Sequence, residues 1–425
     1  MKTLKNFFTY SNDIAKSSFT WNMVGSMLMA FQSVIFLIVL SHTVGIVEAG
    51  IFTIAYANAN LFLTVGKYGM RYYQVSDVKN EFSFKTYLNS RYITTVAMLG
   101  ISLAYLAYVS YRNNYTMEKS LVILWMCIFK MIDSIEDVYH GLYQQNGRLD
   151  IASKGLSIRM FSTIVLFGSI LLIFKNQLLA LIISTIYTSI FLVIFIRLSN
   201  GVIDMKEQLS SSRGSMKQLL INCLPLFIGA FLSFYIGNAP KYSIDSQLND
   251  QLQACYGFIA MPVFVIGLLN GFIFNPVINK LSLIWDHGGL KDFIRKSAKQ
   301  IGVIFIITAT CIVGAYLIGI PVLSLLYNTD LQPYRTELLI LLLGGGFLGL
   351  SGLLSTLITI MRYQKYILAG YAIVALLAVL FSDFFVARYK IMGAAVLYAI
   401  LMALLAICFL ICFYIGLHKR KTKTT

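Results

Sequence analysis

The chain has 425 residues, 58% of them hydrophobic and 12% charged, with a net charge of +16 and a mean hydropathy of +0.75. A soluble protein carries about 25% charged residues, so a soluble enzyme, a secreted disulfide scaffold and a nucleic-acid-binding module are excluded. A dozen spans of about 20 residues each leave connections too short for a folded extramembrane domain.

Met1 to Thr20 is basic, and the apolar run after it lacks an A-x-A-like cleavage site, so it leads into an uncleaved first helix. Hydropathy places helices near 18–40, 46–66, 92–111, 120–143, 157–174 and 178–197. A second set follows near 218–238, 253–275, 301–320, 338–361, 366–387 and 392–416. With the N-terminus cytoplasmic, 26 of the 34 Lys and Arg fall in inner segments, 7 fall in outer loops, and Lys130 lies inside a helix. That excess predicts both termini on the cytoplasmic side. Lys419, Arg420, Lys421 and Lys423 then form an inner-face anchor, and no nucleic-acid partner is expected.

The expected fold is an all-α integral membrane protein with about 12 transmembrane helices in two six-helix bundles, 1–205 and 206–425, around a central cavity. The inner loops 67–91 and 276–300 have the same length, 25 residues, and follow helices two and eight. At an offset of 205, Ala49, Ile54, Ala55, Leu63 and Gly66 face Ala254, Ile259, Ala260, Leu268 and Gly271, a weak sign of duplication. An even number of helices per half gives both halves one orientation, related by an axis along the membrane normal. All six prolines lie in the second half. Pro225 and Pro262, inside helices seven and eight, are either packing kinks or bends in the wall of a moving cavity. Gly345, Gly349 and Gly352 on helix ten read as a close-packing face.

No phosphate loop, H-E-x-x-H motif or cysteine cluster is present, and the four histidines are scattered, so no cofactor, metal site or enzymatic activity is expected. Cys127, Cys223, Cys255, Cys311, Cys408 and Cys412 sit in apolar runs as small core side chains. The informative polar residues lie within the spans. Helix four carries Lys130, Asp133, Glu136, Asp137 and His140, spaced to share one face. Ionisable groups in a span are costly and usually face a bundle interior or a cavity. The stripe is a candidate for cation or proton handling, unless the helix ends early and its last charges sit among headgroups. Helix two ends in Gly66-Lys67-Tyr68-Gly69-Met70-Arg71, whose two cations suit either an anionic headgroup or snorkelling to lipid. Helix seven ends at Asn238-Ala239-Pro240-Lys241-Tyr242, where Lys241 is the sole cation of its outer loop and either pairs with Asp245 or meets substrate.

Five stretches carry a family resemblance: FTIAYANANLFLTVGKYGMRYYQVSD (52–77), KMIDSIEDVYHGLYQQNGRLD (130–150), CLPLFIGAFLSFYIGNAPKYSID (223–245), YGFIAMPVFVIGLLNGFIFNPV (256–277) and LLILLLGGGF (338–347). In these the chain resembles the bacterial polysaccharide (Wzx-like) flippases of the MOP superfamily. The resemblance implies two six-helix lobes around a basic cavity. It implies an undecaprenyl-diphosphate-linked oligosaccharide, flipped across the cytoplasmic membrane by alternating access for O-antigen or capsule assembly, with coupling to an H+ or Na+ gradient. It also implies membrane lipids, a polysaccharide polymerase and glycosyltransferases of the same pathway as partners. Carried onto this chain, it makes Lys67, Arg71, Lys130, Asn238, Lys241 and Tyr242 candidate substrate contacts, and Asp133, Glu136 and Asp137 candidates for ion coupling. A cation-coupled drug exporter of MATE type is the alternative on the same fold. A glycan polymerase or ligase would need a long outer loop that the sequence lacks.

Overall fold

A computed structural model describes residues 2–77, 79–199, 202–203, 214–287 and 289–424. The described residues contain helices and no strand. Ten helical stretches among them are long and apolar enough to cross a membrane. The last of these, Gln364–Thr424, is broken at Lys390 (φ 51°, ψ −131°) and so supplies two spans. Met117–Gln145 is long enough but too charged to score as apolar. With those two adjustments, the described residues hold the twelve spans that hydropathy located.

The chain divides into two compact units, Met1–Phe231 and Leu232–Thr425. The divide falls inside the helix Met216–Gln247, whereas the junction expected at 205/206 lies outside the described residues.

In the first unit the helices are α1 Lys2–Thr9, α2 Ile14–Thr43, α3 Ile46–Lys67, α4 Met70–Ser76, α5 Phe84–Arg112, α6 Met117–Gln145, α7 Leu149–Phe174 and α8 Gln177–Ser199. Helix α2 runs along α7, α3 packs on α6, and α5 packs on both α3 and α6. Helices in lipid gain no hydrophobic drive from meeting one another, so close approach depends on small residues and polar contacts. Gly25 of α2 lies against Ser157 of α7, and Gly66 of α3 against Met98 of α5 and Ser134 of α6. Any side chain at Gly66 would come within 2.8 Å of both neighbours, so this bare position sets the spacing of three helices. On the outside, Val96 (70% exposed), Leu172 (65%) and Ile173 (71%) present an apolar surface suited to lipid.

Two expected helix starts move toward the N-terminus. Helix α5 begins at Phe84 and not near 92, under a Ser83 cap that accepts from Thr86 N. Helix α7 begins at Leu149 and not near 157. Arg91 and Arg159, read from hydropathy as inner-segment cations, therefore stand inside the bundle at 0% and 1% exposure. An apolar window begins only after such charges, but the helix does not, because their partners come from neighbouring helices.

The second unit contains most of α9 (Met216–Gln247), then α10 (Asp250–His287), α11 (Leu290–Gly314), α12 (Ile320–Tyr327), α13 (Arg335–Ile360) and α14 (Gln364–Thr424). A π-helical turn, Ala315–Gly319, joins α11 to α12 just before Pro321. Proline removes one ladder donor, and the wider turn accommodates that loss. Pro225 and Pro262 lie within α9 and α10 as expected. Gly345 packs against Val263 and Ile266 of α10, and Gly349 against Asn270. Gly352 departs from the expected packing face: a Cβ there would meet nothing within 4 Å.

Candidate functional site

Helix α6 does not end early; it is continuous to Gln145, and its polar stripe is buried within the first unit. Lys130 is 2% exposed, Asp133 7%, Glu136 3%, Asp137 7% and His140 4%. Burial at this level requires partners, and they come from five neighbouring helices. Lys130 Nζ donates to Asp133 Oδ2 at 3.0 Å and to Gln32 Oε1 of α2 at 3.5 Å. Its ammonium also lies 5.0 Å from the Tyr56 ring centre on α3. Arg159 of α7 donates to Asp133 Oδ1 at 2.7 Å and grips both Glu136 oxygens through Nε and Nη2. This two-pronged geometry is what a planar guanidinium offers a carboxylate.

Asp137 serves a second group of cations. Arg91 Nη2 donates to Asp137 Oδ2 at 2.8 Å, while Arg91 Nη1 and Thr94 Oγ1 each donate to the Gly66 carbonyl at 2.8 Å. The carbonyl end of α3 is thereby capped from α5. Just beyond it the chain breaks: Tyr68 (φ 51°) and Gly69 (φ 66°) adopt the left-handed conformation. Gly69 suits that conformation best, since it has no Cβ. Lys67 and Arg71, expected at the end of helix two, therefore sit on either side of a kink. They still converge, with Lys67 Nζ 3.9 Å and Arg71 Nη1 3.7 Å from Asp137 Oδ1. Arg71 Nη2 also donates to Gln144 Oε1 at 2.9 Å. Neither cation simply snorkels to lipid.

The cluster holds five cations, Lys67, Arg71, Arg91, Lys130 and Arg159, against three carboxylates, Asp133, Glu136 and Asp137. The surplus positive charge emerges at Lys67 and Arg71, whose side chains are 36% and 31% exposed. A cavity of about 90 Å³ lined by Lys67, Arg71, Glu136, His140 and Arg159 adjoins them. Each carboxylate already faces fixed cations, so the surplus positive charge at the exposed edge suits an anion.

The remaining expected site residues are elsewhere, on α9 in the second unit. The helix does not end near Pro240 as expected but continues to Gln247, so Lys241 is a helical residue and not a loop residue. Proline costs the helix one hydrogen bond, yet the helix continues past it to Gln247. Asn238 Nδ2 donates to the Phe234 carbonyl one turn back at 3.1 Å. Tyr242 stacks on Tyr235 with ring centres 5.8 Å apart. Sequence reading missed Arg91 and Arg159. Their signal was the charge surplus on α6: three carboxylates and one lysine in a span demand cations from other helices.

No family model matches the sequence. A capsular polysaccharide biosynthesis protein, CapF of Staphylococcus aureus, is 23% identical over 322 residues, which cover 73% of this chain and 78% of CapF. Among solved structures, the lipid II flippase MurJ in an inward closed conformation superimposes with a TM-score of 0.66 at 14% identity, covering 94% of this chain and 86% of MurJ. A MATE structure in complex with MaD3S gives a TM-score of 0.64 at 13% identity, covering 99% of both chains.

The chain shares the fold of these MATE and MurJ structures. The expected all-α fold of about twelve spans is what these structures share with it. That all-α fold agrees with the spans long and apolar enough to cross a membrane, as in a multi-pass membrane protein. Within that fold the buried charge cluster belongs to the first unit alone, among α2 to α7.

Proposed function

We propose that the protein flips a lipid-linked oligosaccharide bearing a diphosphate across the cytoplasmic membrane, for assembly of a surface polysaccharide. The observation that carries this reading is the surplus of positive charge at Lys67 and Arg71, which share one carboxylate, Asp137, with Arg91. An ionised group moved unpaired into hydrocarbon faces a penalty on the order of tens of kcal/mol. Partly exposed cations, held in place but incompletely neutralised, remove much of that penalty for a phosphate group. The capsule assignment of the CapF relative and the flippase assignment of MurJ support the same substrate class. A cationic drug would meet like charge here, which disfavours the MATE-type activity.

In this reading both termini are cytoplasmic, so Lys67 and Arg71 stand at the inner end, where a headgroup built from cytoplasmic precursors is loaded. Lys130, Asn238, Lys241 and Tyr242 serve later positions along the path, and alternating access carries the headgroup outward. Asp133, Glu136 and Asp137 are the ion-coupling groups. An arriving proton or sodium ion loosens their hold on Lys130, Arg159 and Arg91, one charge across 100 mV being worth about 2.3 kcal/mol.

The test is surface polymer in cells whose own gene is replaced by Lys67→Ala/Arg71→Ala. Polymer falls at least about tenfold while the protein still inserts, and restoring the charges with Lys67→Arg/Arg71→Lys recovers most of it. Wild-type polymer in the double alanine variant overturns the proposal. Intact polymer on deletion of the gene, with raised drug sensitivity, would favour the exporter instead.

A further inference from the structure

A cavity of about 310 Å³ lies inside the second unit, walled by α10, α11 and α13 and separate from the charge cluster. Its α13 wall is one stripe, Leu348, Gly349, Gly352, Leu353, Thr356 and Leu357, whose spacing keeps to a single helical face. The space exists because side chains are missing: a Cβ at Gly352 or at Gly267 of α10 would meet nothing within 4 Å. Leu348, at 37% exposure, marks where the cavity reaches the surface.

Two uncharged amides line it. Asn270 is 4% exposed, and neither its Nδ2 nor its Oδ1 has a hydrogen-bond partner. It lies against bare Gly349, where any side chain would displace it. Gln300 Oε1 of α11 is likewise buried and unpartnered. Most buried polar groups in proteins are paired, and each exception calls for an explanation. Here the explanation is an occupant. Among the described residues no Asp, Glu, Lys, Arg or His lines the cavity, so a charged group inside would lack a counter-charge from them, which disfavours a phosphate or an ion. Apart from Thr356, whose hydroxyl donates to the Gly352 carbonyl, the other described walls are apolar, which disfavours a bare sugar. The orphaned atoms supply acceptors and a donor, the complement of a hydroxyl. A dry apolar cavity of about 150 Å³ accepts a benzene-sized guest, and this one is about twice that.

We infer that this cavity binds the uncharged, hydroxyl-bearing end of a neutral lipid, of the diacylglycerol type, with Asn270 and Gln300 holding the hydroxyl. The inference does not rest on the flippase reading, since it concerns a different unit and an uncharged ligand.

The experiment uses the full chain in phosphatidylcholine vesicles containing a photoreactive diacylglycerol, with the crosslinked residues mapped by mass spectrometry. Labelling is expected on α10 and α13 around Asn270 and Gly352. It should fall about tenfold in Gly352→Leu, which fills the space without a clash at Cβ, and by a similar factor in Asn270→Leu, which removes the hydrogen bonds. A photoreactive phosphatidic acid with the same chains should label this position no more than background. Thermal unfolding of each variant verifies that it is folded. Equal labelling of wild type and Gly352→Leu, equal labelling by the anionic analogue, or no labelling of folded wild-type protein (a cavity holding water only) would each overturn the inference.

Discussion

Arg159 of α7 reaches across to α6 and holds both carboxylate oxygens of Glu136, with Nη2 also 2.7 Å from Asp133 Oδ1. All three side chains are under 9% exposed. A pair buried this deeply is stable only while both members are present.

Removing one member should therefore cost more than removing both. Arg159→Leu leaves Glu136 uncompensated and should destabilise the protein by about 3–5 kcal/mol. The double variant Arg159→Leu/Glu136→Leu should recover part of that loss, with Asp133 still paired to Lys130. Thermal unfolding in detergent measures both; a double variant no better than the single one would show that the pair does not act as a unit.

Arg91 has two roles, capping the Gly66 carbonyl and neutralising Asp137. Arg91→Ala should cost less than a fully orphaned charge, about 2–3 kcal/mol, since Lys67, Arg71 and Thr94 remain as partial substitutes. The kink at Tyr68–Gly69 should loosen at the same time, seen as faster hydrogen exchange over residues 67–71. Unchanged exchange there would mean that the kink is held by other contacts.

If the acidic face of α6 handles a coupling ion, Asp133→Asn should slow transport and alter its response to pH or sodium. Asparagine keeps the shape but loses the charge that faces Lys130 and Arg159. Transport kinetics identical to wild type across both gradients would leave Asp133 a purely structural partner.

At the other end of the chain, Lys154 of α7 donates to the Phe7 and Tyr10 carbonyls and to Ser11 Oγ, and Arg148 donates to the Thr9 carbonyl. These cations cap the C-terminal end of α1, where the helix dipole favours them. Phe8, 2% exposed, is the apolar half of the same anchorage. Lys154→Ala should free α1, so that limited proteolysis cuts near Tyr10 several-fold faster. An unchanged cleavage rate would mean that Phe8 and Arg148 suffice.

The apolar runs by themselves specified the membrane class, the dozen spans and the polar face of α6. Each of those is a local property: about 20 apolar residues must cross as a helix because lipid satisfies no backbone group. That Lys130 could meet Asp133 was also legible, three residues being one turn. Which cations answer Glu136 and Asp137 was not legible, because Arg159 and Arg91 lie 23 and 46 residues away along the chain. Only the packing of α5 and α7 against α6 brought them in, and the same packing turned residues that read as inner-segment charges into the bundle interior. The cavity beside Asn270 follows the same logic: glycines on helix ten read as a packing stripe, and whether a neighbour fills the space above each one depends on helix placement in three dimensions.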